Sequence, residues 1–297
     1  MIVITGAAGF IGSHFCRKLN YHNINTIILV DDFTQESKRS NWERLDYIDK
    51  IPREQFFSWA EKNVQHIDYI FHLGARTDYY STNNEIFELL NTEFSQRVWS
   101  FATLHRIPLI YASSYLTNDP ELPSFYAKSK YFFDKWVEKQ QQTPPFWAGL
   151  KFFQVYGNNE AHKAENSSNV YKIYRKYVKN APIIGLDENV IQDYIYINDV
   201  AKVLYYFLNH APRSGMYEVG TGFARPLQAV EAAVRKALKV TSDELQVTSK
   251  ELQMTSKELQ VTSNRFQADL SMLRRNAYRQ AFLSLEEGVK RMVFNKT

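Results

Sequence analysis

Residues 2–19 read IVITGAAGFIGSHFCRKL. The first four are mostly β-branched and apolar, which favours a buried strand. From Phe10 onward the apolar residues take up a helical pattern. Between the two lies G-x-x-G-x-x-G at Gly6, Gly9 and Gly12. In a strand–turn–helix unit the first glycine makes the tight turn and the second lets backbone approach a diphosphate. The third packs helix against strand, and the diphosphate rests on the positive end of the helix. Asp31 follows Gly12 by 19 residues at the end of a second apolar run, where an acid would hold an adenosine ribose. The spacing predicts a dinucleotide site. NAD and NADP both stay open: Asp31 and Asp32 would repel a 2′-phosphate, whereas Lys38, Arg39 and Arg53 could hold one.

Outward from this unit, short β runs alternate with amphipathic stretches. Thr26–Val30, Asp68–His72, Ile107–Tyr111 and Gly149–Val155 read as strands. Arg53–Asn63, Glu85–His105 and Tyr126–Gln141 read as helices. Later strands are expected at Ile191–Ile197 and Met216–Val219, and later helices at Ala229–Lys239 and Ser284–Val293. This alternation predicts an α/β fold, a Rossmann-type doubly wound parallel sheet covered on both faces.

The 297 residues are 44% hydrophobic and 23% charged, enough to bury a large core unaided. A net charge of +4 is too small for a nucleic-acid or membrane-surface binder, so neither partner is expected. The lone Cys16 excludes an internal disulfide framework and reads as a core filler. The seven His show no paired ligand spacing, so no metal is expected, and His72 reads as structural. Lys172, Arg175, Lys176 and Lys179 read as a solvated basic stripe. The N-terminus has no basic leader, and no apolar run nears the ~20 residues of a membrane span. A cytoplasmic protein is expected.

Tyr126-Ala-Lys-Ser-Lys130 sets a phenol and an ammonium one helical turn apart on one face. A phenol with a pKa of about 10 is a poor base at neutral pH. A cation about 4 Å away favours phenolate by up to about 4 kcal/mol at an effective dielectric near 20. Ser114, just past a strand, could donate a hydrogen bond to the reacting oxygen. Together these suit acid–base chemistry coupled to hydride transfer.

With TGAAGFIG at 5–12, HLGA at 72–75, YASS at 111–114 and YAKSK at 126–130, the chain resembles the extended short-chain dehydrogenase/reductase family. The resemblance implies a smaller C-terminal α/β substrate lobe, tightly bound NAD(P) and a small nucleotide-sugar substrate. On that pattern residues 1–156, with 191–212 returning, form the dinucleotide domain; 157–190 and 213–297 form the lobe. Residues 151–163, 192–200, 214–233 and 266–274 resemble the branch that inverts C6 of ADP-glycero-manno-heptose. That likeness makes Tyr126 and Lys163 the proton carriers for the two faces, with Lys130 and Ser114 beside Tyr126. It places Phe10, Ile11, Asp31, Asp32, Lys38, Leu73, Gly74, Ala75, Arg76, Thr77, Asn91, Lys130 and Val155 on the cofactor. Arg53 joins them as a candidate cation. Ser114, Gln154, Glu165 and Gln192 fall on the substrate. A homo-oligomer through helices 85–105 and 126–141 is also implied.

The chain departs from the branch in its substrate half. Gln154 stands for an Asn, Ala164-Glu165 for small residues, and Gln192 for an Arg expected to clamp the diphosphate. Losing a bidentate fork is not conservative. Two alternatives follow: a reductase, dehydratase or 4-epimerase on another nucleotide sugar, or a non-catalytic relative that keeps the fold. Finally, 240–267 is a seven-residue unit, VTSDELQ, written four times with variations. Its apolar residues are spaced five and two, not the three and four of a coiled coil. It reads as a low-complexity insert expanded by slippage.

Overall fold

The structure, a computed structural model, describes residues 1–79, 81–119, 121–122, 124–179, 190–239 and 266–294. The repeat tract, apart from its last two residues, lies outside the described residues.

Among the described residues, seven parallel strands form the main sheet in the order β3-β2-β1-β4-β5-β6-β9. They are β1 (Ile2–Thr5), β2 (Ile27–Asp31), β3 (Asp49–Pro52), β4 (Tyr69–His72), β5 (Leu109–Ser114), β6 (Trp147–Phe152) and β9 (Gly215–Val219). β1 and β4, adjacent but far apart in sequence, flank the place where the strand order reverses. In open α/β sheets the ligand crevice lies there, beyond the carboxyl ends of the strands. β1, β2, β4 and β5 are buried along their whole length, as a sheet covered on both faces requires. The expected sheet is therefore present. A second sheet of three strands, β10-β8-β7, is built from β7 (Gln154–Tyr156), β8 (Ile191–Tyr196) and β10 (Ala224–Pro226).

Two segments pair elsewhere than the expected division puts them. Gly215–Val219 joins the large sheet against β6, and Ile191–Tyr196 lies in the small sheet between β7 and β10. The run 149–155 is also not one strand. It breaks at Phe153, whose N–H bonds Val219 O and whose ring stacks on Tyr115, so the chain steps from one sheet to the other.

The helix expected at 85–105 is interrupted. Asn84–Phe87 and Phe94–Leu104 are α-helical, but Glu88–Glu93 is a π turn. Its buried Asn91 explains the widening: Oδ1 accepts from Arg76 N (2.7 Å), while Nδ2 donates to Arg76 O (3.0 Å) and Ser129 Oγ (2.9 Å). One extra residue in the turn lets that amide reach Arg76 and Ser129 together.

Asp193, fully buried in β8, ties three distant segments together. Its carboxylate accepts from Thr221 N and Oγ1, Gly222 N and Ala268 N. Burial pushes its pKa up against those hydrogen bonds. Among the described residues no helix is long and apolar enough to cross a membrane.

Candidate active site

The glycine loop is as tight as its spacing predicts. Gly6 has φ +70°, and a Cβ there would meet Gly74 Cα and N at 2.5 Å. A Cβ on Gly12 would meet Gly6 O at 2.2 Å. At Gly9, which starts helix α1 (Phe10–Tyr21), no side chain caps the helix and no acid stands in its first turn. Its N–H groups and dipole are left facing the crevice, which fits an anionic diphosphate.

Asp31 ends β2 and braces this loop. Its carboxylate accepts from Ala8 N (2.9 Å) and Asp32 N (2.7 Å) and pairs with Lys38 (3.3 Å). Asp32 accepts from Thr34 Oγ1 (2.6 Å) and Gln35 Nε2 (3.0 Å), bonds that hold its pKa down at about 2. Arg53 stands near enough to assist, but its guanidinium pairs with Glu54 (2.6 Å). Arg39 pairs with Glu36 and Glu43.

Beyond the strand ends opens a cavity of about 420 Å³. Phe10, Ile11, Leu73, Ala75, Thr77 and Val155 line it, as do Ser114, Tyr126, Lys130, Gln154, Lys163 and Glu165. Most of the residues put forward by sequence thus converge on one space. Gly74, Arg76 and Asn91 serve as braces. Gly74 packs on Gly6 and donates to Thr5 Oγ1, and the Arg76 guanidinium pairs with Asp78. Gln192 presents no charge to a diphosphate; its Nε2 donates to Tyr115 Oη (3.0 Å), as does that of Gln154 (2.9 Å). Lys172 corrects the solvated-stripe reading, for it is half-buried and lines the cavity.

Tyr126 and Lys130 sit on helix Phe125–Glu138, which Ser124 caps by accepting from Ala127 N. Both side chains are buried. Burial pushes the Tyr126 phenol up to about 12, against the hydrogen bond from Ser114. The Lys130 ammonium was expected to pull that value down. Lys130 Nζ donates to Ala112 O (2.8 Å). Burial lowers Lys130 itself to about 8, with Asp134 opposing. Burial thus keeps the phenol protonated at neutral pH, and a further positive charge in the cavity would lower its pKa.

Lys163 reaches the cavity from a separate loop. Its Nζ lies 3.2 Å from Glu160 Oε2 and 5.0 Å from the Phe10 ring centre. Next to it, His162 Nδ1 accepts from Asn41 Nδ2 (3.2 Å), which also donates to Ala8 O (3.0 Å). Burial first, then Lys38 and Lys163, lower His162 to about 4, so it is neutral and able to accept. This loop is thereby fastened to the glycine loop. Ala164, immediately after Lys163, has φ 47° and ψ −120°, a conformation that favours glycine. Ala164→Gly is expected to stabilise the fold by about 1–2 kcal/mol. A higher denaturant midpoint at unchanged slope would show it, and an unchanged or lower midpoint would contradict it.

Sequence reasoning missed Tyr79, Tyr115 and Glu160. Tyr79 meets the Tyr126 ring edge-on at 5.1 Å. Tyr115 carried a signal in its place beside Ser114. His72 is structural as expected: it shares hydrogen bonds with Thr5 Oγ1 (2.6 Å) and Ser95 Oγ (2.8 Å), and burial holds it at about 3. Cys16 is buried, with its thiol raised to about 12. Among the described residues no cluster of three His, Cys, Asp or Glu could hold a metal.

Comparison with known proteins agrees with this geometry. The model of the NAD dependent epimerase/dehydratase family matches residues 2–220. The chain is 32% identical to an ADP-L-glycero-D-manno-heptose-6-epimerase of Fusobacterium nucleatum, over 99% of this chain and 97% of that protein. Its fold is similar to the Helicobacter pylori protein of the same description, with a TM-score of 0.76 at 20% identity over 98% and 94% of the two chains. It is also similar to WbmF of Bordetella bronchiseptica in complex with NADH, with a TM-score of 0.79 at 18% identity over 98% and 90%.

Proposed function

The chain belongs to the NAD dependent epimerase/dehydratase family, and from that premise we propose that it inverts C6 of ADP-glycero-manno-heptose. The carbon is oxidised and then reduced from its other face. One observation supports this most: two proton carriers on separate elements, Tyr126 and Lys163, line one cavity together with Ser114.

A nicotinamide held by the glycine loop and by Phe10, Ile11, Leu73 and Ala75 would supply a positive charge and reversible hydride exchange at C6. Tyr126, with Lys130 one turn away and Ser114 on the reacting oxygen, takes the C6 hydroxyl proton as the C–H bond breaks. The product is a ketone. After it presents its other face, Lys163 gives the oxygen a proton as the new C–H bond forms. Tyr126 has gained one proton and Lys163 has lost one; exchange with water resets both. Lys163 and Lys172 set positive charge around an anionic sugar diphosphate, with Glu165 as the opposing charge. The reading places the enzyme in the cytoplasm, as a homo-oligomer through helices 94–104 and 125–138, where Leu104 and Phe132 are exposed.

A second reading rests on Tyr115. With Gln154 and Gln192 both donating to its hydroxyl, a neutral polar wall stands where an Arg clamp was expected. That wall suits a reductase or 4-epimerase on another nucleotide sugar.

The deciding experiment follows C6 of ADP-D-glycero-D-manno-heptose by NMR, with absorbance at 340 nm in parallel. Inversion without net absorbance change supports the epimerase. Net cofactor oxidation points to a reductase, and an unsaturated product to a dehydratase. No turnover on a panel of nucleotide sugars, by folded NAD-loaded protein, would leave the non-catalytic relative.

NAD is favoured over NADP, because Lys38, Arg39 and Arg53 are each paired with a carboxylate while Asp32 faces the same edge. Nucleotide extracted from purified protein is expected to be NAD, and recovery of mainly NADP would refute this.

A further inference from the structure

Glu160 carries a carboxylate with no exposed surface, in a loop that sequence reads as polar. Among the described residues, every hydrogen bond of its two oxygens stays within residues 157–168. Oε1 accepts from Gly157 N (3.0 Å) and Ser168 Oγ (2.8 Å). Oε2 accepts from Ser168 N (2.7 Å) and Lys163 Nζ (3.2 Å). The two ends of the loop and its single reaching ammonium thus meet on one buried charge. Such a charge is tolerated only when paired and hydrogen-bonded. The backbone beside Lys163 is strained at Ala164, and strain of that kind persists only where the surroundings over-determine it.

We propose that Glu160 is the positioning residue for Lys163. It closes the 157–168 loop and holds the Lys163 ammonium at the cavity, so that proton delivery on the second face depends on it. This rests on the reading of Lys163 as the second proton carrier. His162, fastened through Asn41 to the glycine loop, fixes the same segment on its other side. Lys163 is therefore held between the cofactor loop and a buried anion, which a surface loop lysine would not require. Tyr126 lies on a different helix, and Glu160 makes no hydrogen bond to it.

The test uses the full-length, NAD-loaded protein. Glu160→Gln keeps the size and leaves Oε1 as an acceptor, but its amide cannot pair with Lys163. Inversion of ADP-heptose is expected to fall roughly 10²-fold or more. The first oxidation, seen as the transient rise at 340 nm on mixing with substrate, is expected to stay within about threefold, at unchanged cofactor content. Lys163→Ala should show the same split. In that background Glu160→Gln should cost nothing further, because the pair acts as one unit. A merely structural role would lower oxidation and inversion together, or make the double variant slower than Lys163→Ala; either result overturns the proposal. If Glu160→Gln fails to fold, Glu160→Asp keeps the charge and draws it back by one methylene. It should again lose inversion ahead of oxidation, and equal losses refute the role. Wild-type inversion is measured first. Its absence overturns the substrate reading and this inference together, whereas inversion retained in Glu160→Gln overturns only the inference.

Discussion

Tyr126→Phe is expected to slow inversion by about 10³- to 10⁴-fold, the upper range for loss of one acid–base group, with the fold and bound NAD retained. The side chain is buried, and its ring meets Tyr79 edge-on, a contact that phenylalanine preserves. What is lost is the hydroxyl, with its hydrogen bond to Ser114 and its proton. Both the 340 nm transient and the NMR inversion should vanish together, because the oxidation itself needs this group. That pattern separates it from Lys163→Ala, in which the transient survives. A Tyr126→Phe protein with more than a tenth of the wild-type rate would remove the phenol from the mechanism.

Gly12→Ala is expected to destabilise the fold by about 3 kcal/mol or more and to abolish NAD retention. The new Cβ would stand 2.2 Å from Gly6 O and 2.9 Å from Ala7 Cα. Both are backbone atoms of the loop that must face the diphosphate, so no flexible side chain can give way. Gly9→Ala is the comparison. Its Cβ would meet Gly6 O at 3.1 Å, so the fold should suffer less than the cofactor. Chemical denaturation together with nucleotide content reads both effects. Equal midpoints for Gly12→Ala and wild type would show that α1 can move off β1.

The residues legible in the sequence are those whose constraint is local. Gly9 and Gly12 answer a steric demand set by Gly6 a few residues away, and Gly6 a positive φ in its own turn, so their spacing states it, although the close approach of Gly74 to Gly6 comes from a distant strand. Tyr126 and Lys130 are one helical turn apart, so their shared face follows from geometry. Strand β3 was missed because Asp49-Lys-Ile-Pro52 buries only Ile51, which gives no alternation to read. The π turn was missed because its cause, Asn91 reaching Arg76 and Ser129, comes from other elements. Glu160 was missed for a similar reason: nothing in an N-x-E-x-H-K string says that its carboxylate is buried under Ser168. Lys172 was misread because a stripe of basic residues has the same periodicity whether one member faces a cavity or water. Sequence gives the spacing of Lys130 and Tyr126 but not the carbonyl of Ala112 that takes the ammonium.

The Asp193 junction bears on heredity. Helix Leu227–Leu238 leads into the repeat tract, and the chain after it is fixed at Ala268 by the Asp193 carboxylate and at Phe266 by packing with Tyr115 and Phe153. Ala268 lies just outside the duplicated units, and Phe266 lies within the last of them. A copying error that adds or deletes seven residues among the first three units leaves each attachment its own partners, so selection on the enzyme has little purchase on repeat number. Isolates of one lineage should then differ in length at this one place while the sequences on either side stay alike, making the tract a record of recent ancestry rather than of function.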